Sequence, residues 1–369
     1  MTIIVKIGKI FLNIIYFFMK LFPTRNKITF LSRQSNKIPL DFELIINELK
    51  KEKYEITVLC HRLEGTKDTK KELIKFISTT LKSMYHLATS RVCIIDSYSI
   101  PVSILKHKKT LTIIQIWHAM GKIKQTGYQT LGKKDGRNPK LAKALNLHKN
   151  YDIVVAGAKA WNFAYCASFN IEESKLWNIG LPRAAYIYNN KNKIKNKIYK
   201  KYPEFKTKEV ILYSPTFRAN KNSELEALIN NVDYEKYHLI ITGHPKHKLN
   251  IDDSKVYRCN DINIFELLTI CDYFICDYGS LAVEAAVLNK KTYYYLFDYE
   301  DYIKSNGLNF DPLKELPSLT FKSAKNLLEN LEKNNYDEKA FKEYRKKYVP
   351  KDFNLATKKL AEYINDKMK

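Results

Sequence analysis

The chain has 369 residues, enough for two domains with full cores, and its 45% hydrophobic content, with no long low-complexity run, excludes a disordered or fibrous protein. The six cysteines (Cys60, Cys93, Cys166, Cys259, Cys271 and Cys276) are scattered without a C-x-x-C pair, which argues against a zinc site or disulfide framework and fits a reducing cytoplasm. With 63 Lys and Arg against 39 Asp and Glu the net charge is +24, which calls for an anionic partner: nucleic acid, an anionic membrane or a phosphate-rich substrate. The abundance of Lys, Asn, Ile and Tyr is also what an AT-rich coding sequence produces.

Residues 1–22 are mostly apolar and close to the ~20 residues of a membrane span, but Lys6, Lys9, Asn13 and Lys20 interrupt them. At ~100° per residue, Lys6, Asn13 and Lys20 fall in one narrow sector, flanked by Lys9 and Tyr16. This single polar stripe predicts an amphipathic helix lying in the membrane interface, its lysines toward lipid phosphates. A spanning helix would bring Lys9 near the hydrocarbon at a cost of a few kcal/mol. No small-x-small site follows Met19, which argues against a cleaved signal peptide. The alternative is a helix packed on the protein's own core.

Pro23 ends that helix. Strands are expected at Lys27–Leu31, Ile56–Cys60, Val92–Asp96, Thr112–Trp117, Ile153–Ala156 and Trp177–Gly180, with helices between them. This alternation over 23–190 predicts a Rossmann-like parallel α/β domain. Residues 191–208, rich in Lys and Asn, read as a linker with a short helix around Ile198. The alternation restarts in a second Rossmann-like domain, 209–335, with strands at Val210–Ser214, His238–Thr242, Val256–Cys259, Tyr273–Cys276 and Thr292–Leu296. Residues 336–369 read as C-terminal helices. The fold class expected is α/β and GT-B-like: two Rossmann-like domains facing a cleft.

Four motifs sit at the carboxyl ends of expected strands, the edge where open α/β sheets bind ligands. Trp117-His118-Ala119-Met120-Gly121-Lys122 places a histidine suited to general-base work, or to capping the next element. Ser214-Pro215-Thr216-Phe217-Arg218 offers a guanidinium for phosphate, or a solvated arginine. Gly243-His244-Pro245 holds a second histidine in a turn fixed by proline. Asp277-Tyr278-Gly279-Ser280, before an Ala-rich helix carrying Glu284, reads as a phosphate-binding turn or as a plain strand-to-helix turn with Ser280 as N-cap.

These motifs, with Gly180-Leu181-Pro182-Arg183 and the Tyr295–Asp311 stretch YLFDYEDY…GLNFD, resemble the CDP-glycerol glycerophosphotransferases of bacterial teichoic acid synthesis, including their ribitol relatives. The resemblance spans roughly Ile94 to Asp311 with order and spacing kept. It departs at WHAMG, at Gly279 (where relatives carry a first Ser), at Glu284 (often Asp) and at Thr242 (usually basic).

The resemblance implies transfer of an alditol phosphate from a CDP-alditol, CDP-glycerol or CDP-ribitol, to a hydroxyl of a lipid-linked glycan or polymer, releasing CMP. It implies that 23–190 is the acceptor domain and 209–335 the donor domain. It assigns His118 as general base and His244 as its catalytic companion. Arg218, Asp277, Gly279, Ser280 and Glu284 would hold the donor, with Lys122, Arg183 and Asp298 as acceptor or supporting residues. It points to a peripheral enzyme at the cytoplasmic face of the membrane, with anionic lipids as partners and no nucleic acid. A homo-oligomer is compatible with it. No D-x-D motif is present, which argues against a tightly held metal; a loosely bound Mg²⁺ is compatible with the rest. A glycosyltransferase using a nucleotide sugar would share the fold and differ in donor. A nucleic-acid binder would need exposed aromatics among its basic residues, whereas Tyr293–Tyr295 fall in a core pattern.

Overall fold

The structure is a computed structural model and describes residues 2–62, 69–134, 136–216, 222–242 and 253–369. The chain divides into two compact units. The first takes Met1–His118, Thr126–Arg183 and Leu355–Lys369; the second takes Ala119–Gln125 and Ala184–Asn354.

The first unit is built on six parallel strands: β1 Lys27–Ser32, β2 Glu55–Cys60, β3 Val92–Ile95, β4 Thr112–Gln115, β5 Ile153–Ala156 and β6 Leu176–Asn178, in the order β2-β1-β3-β4-β5-β6. β1 and β3 are buried along their whole length, which is why their apolar residues run on without strict alternation. The chain steps outward from β1 to β2, then returns to the other side of β1 as β3. The crevice at the carboxyl ends of β1 and β3 is therefore the switch point of this sheet.

The second unit repeats the plan with β7 Glu209–Ser214, β8 Tyr237–Ile241, β9 Val256–Tyr257, β10 Tyr273–Cys276, β11 Lys291–Tyr295 and β12 Thr320–Phe321, in the order β12-β11-β10-β7-β8-β9. All its ladders are parallel, and the switch point lies between β7 and β10. Tyr293, Tyr294 and Tyr295 of β11 are all buried, as their pattern implied.

Three readings of the organisation change. Residues 191–208, expected as a linker with a short helix around Ile198, carry helix Lys191–Lys201, which buries Ile194 and Ile198, an i,i+4 pair, and belong to the second unit. The C-terminal helices part company, because Glu338–Tyr348 belongs to the second unit while Ala356–Met368 returns to the first. There Tyr54 donates to Asn365 Oδ1 (3.2 Å) and Arg91 Nη1 to the Met368 carbonyl (3.0 Å). Ala119–Gln125, adjacent in sequence to the first sheet, joins the second unit through an antiparallel bridge between Lys124 and Leu308. The Gln125 N–H also donates to the Gly307 carbonyl (3.1 Å), where φ of 83° calls for glycine.

The N-terminal helix Thr2–Met19 is present, and Asn13 and Tyr16 of its polar side pack on the first unit. Asn13 Nδ2 donates to the Ile104 carbonyl (3.1 Å), and its Oδ1 accepts from the Lys106 N–H (3.1 Å). These are backbone groups left open where the short helix Ile100–Ile104 ends. Tyr16, buried, bonds His107 Nδ1 (2.8 Å). Asn13 and Tyr16 thus tie the polar side to the loop after Ile100–Ile104 while Lys6 stays exposed, and Ile3, Ile7, Ile10, Phe11, Ile14 and Phe18 face outward, Phe11 at 61% exposure. Among the described residues no helix is long and apolar enough to cross a membrane.

Candidate active site

In the first unit the site grows from the end of β4. The Gln115 side chain pins two loops at once: its Oε1 accepts from the Trp117 N–H (2.8 Å) and its Nε2 donates to the Ser97 carbonyl (3.2 Å). Trp117 then adopts φ of 56°, the left-handed region that a bulky side chain avoids at a cost of about 1–3 kcal/mol. Its indole is anchored against Phe169, with ring centroids 4.9 Å apart. The reversal brings His118 to the surface between two buried neighbours, Trp117 and Ala119. The imidazole lies along the indole at 4.1 Å.

His118 Nδ1 lies 3.0 Å from the Asp96 carbonyl oxygen. A carbonyl only accepts, so Nδ1 carries the hydrogen and Nε2 keeps its lone pair. Below the histidine sits a buried ion pair. Arg183 Nη1 contacts Asp41 Oδ2 at 2.6 Å, with side chains 5% and 7% exposed, and the Arg183 N–H donates to Asp41 Oδ1 at 2.8 Å. The remaining fork nitrogen, Nη2, donates to the His118 carbonyl (3.1 Å). Arg183 is therefore a brace for the His118 backbone. Asp96 itself accepts from Ser32 Oγ (2.6 Å) across the switch point, and burial pushes its carboxyl pKa up against the opposing hydroxyls of Ser32 and Ser97.

In the second unit the site forms at the switch between β7 and β10. Thr216 donates both its N–H (2.8 Å) and its hydroxyl (2.5 Å) to Asp277 Oδ2. Two separate sequence motifs are thereby tied together, and Asp277, buried, is their anchor. Tyr278 is buried and stacked on Tyr302 (3.7 Å, 8°), with its hydroxyl donating to Asp298 Oδ1 (3.1 Å). Lys124 Nζ sits 5.9 Å from the Tyr302 ring centroid.

Gly279 and Ser280, both partly exposed, form the lip of this turn ahead of helix Leu281–Val287. Ser280 has helical φ and ψ of −69° and −9° and its hydroxyl makes no capping bond. The plain N-cap reading of this serine is thus set aside. Glu284 is 1% exposed, and Lys122 is buried, its ammonium driven well below its ordinary pKa by desolvation. Of the residues singled out in the sequence, His118, Gly279 and Ser280 reach the surface, whereas Asp277, Glu284, Lys122, Arg183 and Asp298 are buried within their units. Arg218 and His244 lie outside the described residues.

Asp41, Asp96 and Gln115 escaped the sequence reading. Asp96 carried a usable signal, a carboxylate at a strand's carboxyl end; Asp41, in the first turn of helix Leu40–Leu49, carried none. Among the described residues no group of three or more His, Cys, Asp or Glu could hold a metal ion.

The family described as CDP-Glycerol:Poly(glycerophosphate) glycerophosphotransferase matches residues 14–366. The chain belongs to this family. Its curated relatives include a teichoic acid ribitol-phosphate primase of Bacillus spizizenii, 26% identical over 92% of this chain and 91% of that protein. A glycerol-phosphate primase of Bacillus subtilis is 27% identical over 68% of each chain. A poly(ribitol-phosphate) polymerase of Bacillus spizizenii is 26% identical over 90% of this chain but only 55% of its own length. Among solved structures, the wall teichoic acid polymerase TagF superposes with a TM-score of 0.75 at 15% identity, covering all of this chain and 97% of the other. A UDP-N-acetylglucosamine 2-epimerase from Rickettsia bellii reaches 0.57 at 14% identity over 93% and 96% of the two chains. These likenesses place the two parallel-sheet units in the GT-B-like class expected from the sequence.

Proposed function

We propose that this glycerophosphotransferase family member transfers glycerol phosphate or ribitol phosphate from the CDP-alditol to a hydroxyl of a lipid-linked glycan or growing polymer in teichoic acid or related cell-surface polymer synthesis. The observation that supports it most is the family match across nearly the whole chain, together with primases and polymerases of teichoic acid as curated relatives. A TagF structure was soaked with CDPG, and the same donor class is assigned to this chain.

In the step proposed, His118 Nε2 takes the proton of the acceptor hydroxyl. The freed oxygen attacks the phosphorus that bears the alditol, and the bond from that phosphorus to the CMP oxygen breaks. CMP leaves with the electron pair, and the product is a phosphodiester. Such a transfer depends on positioning and on offsetting charge at the leaving phosphate. The Gly279–Ser280 lip would hold the donor pyrophosphate, on a turn that Asp277 and Thr216 keep in place. Arg218 and His244 are assigned to the same charge by family resemblance, and Glu284 to the ribose. Lys122, Arg183 and Asp298 are positioning residues in this reading.

The outward apolar face of helix Thr2–Met19 supports peripheral attachment at the cytoplasmic face of the membrane. Phe11→Ser with Phe18→Ser should abolish vesicle binding without changing the melting temperature, since both side chains are at least 60% exposed.

The reaction is tested by following CMP release over a panel of CDP-glycerol, CDP-ribitol and UDP-sugars with a lipid-linked disaccharide acceptor. Turnover of a CDP-alditol supports the proposal. Turnover of a UDP-sugar, with no CMP from any CDP-alditol, overturns it.

A further inference from the structure

Beneath the N-terminal helix the first unit has a cavity of about 500 Å³ whose charge is conspicuously one-sided. Lys9 enters it from the helix, Lys106, Lys108 and Lys109 from the loop before β4, and Lys149 from the loop before β5. Asp152 is the one carboxylate among its lining residues, and its Oδ2 is engaged by the Ile113 N–H at 2.7 Å. Among the described residues none of the five lysines has a carboxylate partner within salt-bridge distance. Lys108 is partly engaged, donating to the Phe22 carbonyl (2.6 Å) at the end of the helix. The lysines also oppose one another: burial and Lys149 hold the Lys9 ammonium below its ordinary pKa, and burial and Lys20 do the same to Lys108.

His107, which also lines the cavity, adds no charge. Its Nε2 donates to the Val102 carbonyl (2.7 Å), its Nδ1 accepts from Tyr16, and burial lowers its pKa. Five cations brought to one concavity with a single carboxylate repel one another, and an anion that joins them relieves that repulsion.

The position of the cavity says which anion. Lys9, Asn13 and Tyr16 lie on one side of the helix, and the exposed isoleucines and phenylalanines on the other. A helix with side chains is about 10–12 Å across, and an interfacial helix sinks its apolar face about 5–10 Å into the boundary of headgroups and acyl chains. The side away from the acyl chains then stands at the depth of the lipid phosphates. Resting on the membrane attachment proposed above, we propose that this cavity is a binding site for the phosphate-bearing headgroup of an anionic phospholipid. It would fix the first unit on the membrane surface in one orientation, with the helix's apolar face supplying affinity and the lysines selecting the headgroup.

The test is co-sedimentation of the full chain with vesicles of phosphatidylcholine alone or with about 30% phosphatidylglycerol, at fixed ionic strength. Lys106→Ala, Lys109→Ala and Lys149→Ala are combined; Lys108 is spared because it ties down the helix end. A control removes equal charge from the second unit: Lys193→Ala, Lys197→Ala and Lys200→Ala. The cavity variant should lose about a hundredfold in partitioning onto anionic vesicles, and the control less than about threefold. Equal losses in the two variants would mean diffuse attraction and overturn the site, as would normal binding by the cavity variant. Equal binding of wild type to both vesicle types would leave only the apolar face and overturn it too. Binding of inorganic phosphate that the cavity variant loses, with no preference of wild type for anionic vesicles, would mark a free-anion site and overturn the headgroup assignment. Failure of wild type to bind any vesicle removes membrane attachment itself. None of these readings requires turnover, so each is separable from failure of the transferase reaction, which CMP release reports.

Discussion

The Asp96 carbonyl oxygen stands 3.0 Å from His118 Nδ1 and so fixes which imidazole nitrogen can act as a base. Because the contact is to backbone, no side-chain substitution at position 96 removes it, and the tautomer is a property of the fold. Replacing His118 by Asn should therefore cost activity without costing structure. The expected loss in kcat is about 10²–10⁴-fold, with little change in the donor KM or in the melting temperature, because His118 is exposed. CMP release under saturating donor and acceptor measures it. Full activity in His118→Asn would end the general-base assignment.

The backbone under His118 depends on the buried pair of Arg183 and Asp41. Removing one partner strands the other in a site where both side chains are under 10% exposed, so Arg183→Met alone should destabilise the chain by about 3–5 kcal/mol. Arg183→Met with Asp41→Leu should recover most of that loss, since the stranded charge goes with its partner. Activity should not recover in parallel, because Nη2 no longer holds the His118 carbonyl. Urea unfolding and kcat on the single and double variants separate these effects. Recovery of both together would show that Arg183 serves stability only.

How far the sequence reached can be judged from these residues. His118 stands out in the sequence by its place after an apolar strand and by the family resemblance, while the residues alone leave a capping role open. Both sheets were legible because strands buried on two faces, such as β1 and β3, need unbroken apolar runs. Arg183 was noticed, but its partner Asp41 is 142 positions away, and pairing at that distance leaves no local pattern. The same limit hid the passage of Ala119–Gln125 into the second unit, where Lys124 pairs with Leu308 half a chain away. In the N-terminal helix the periodicity shows two faces but not what the polar face packs against. A stripe says which residues share a face, and only the open backbone groups at Ile104 and Lys106 say which way that face turns.

Asp96 makes stability depend on pH in a direction opposite to most carboxylates. Burial raises its pKa above the ordinary 3.8, so the folded chain holds this proton more tightly than the unfolded chain does. The stability gained is full below the unfolded value and is lost as pH rises through the higher folded value. Asp96→Asn keeps an acceptor for Ser32 Oγ and has nothing to ionise. Relative to wild type, the variant should gain stability between about pH 4 and pH 7. Urea denaturation at those two values checks it. A difference that does not change with pH would show that Asp96 titrates alike in both states.

The turn Asp277–Ser280 offers a test in which folding and function come apart. At Gly127, with φ of 60°, a Cβ would lie 2.2 Å from the Ser168 carbonyl oxygen, so any side chain there is excluded. Gly279 is the opposite case: its φ is not positive, and a Cβ would meet nothing nearer than Asp277 Oδ1 at 4.0 Å. The glycine is therefore not demanded by the backbone, and Gly279→Ser should fold with stability within about 0.5 kcal/mol of wild type. It also sets a second hydroxyl beside Ser280, whose own hydroxyl makes no capping bond to the helix behind it. If this lip holds the donor pyrophosphate, Gly279→Ser should lower the KM for the CDP-alditol with kcat unchanged. Gly279→Leu, which has the same open backbone to build on, should raise that KM at least tenfold by standing where the phosphates lie. Unfolding curves for both variants should overlay wild type. A leucine variant that keeps the wild-type donor KM would place the pyrophosphate elsewhere on the second unit.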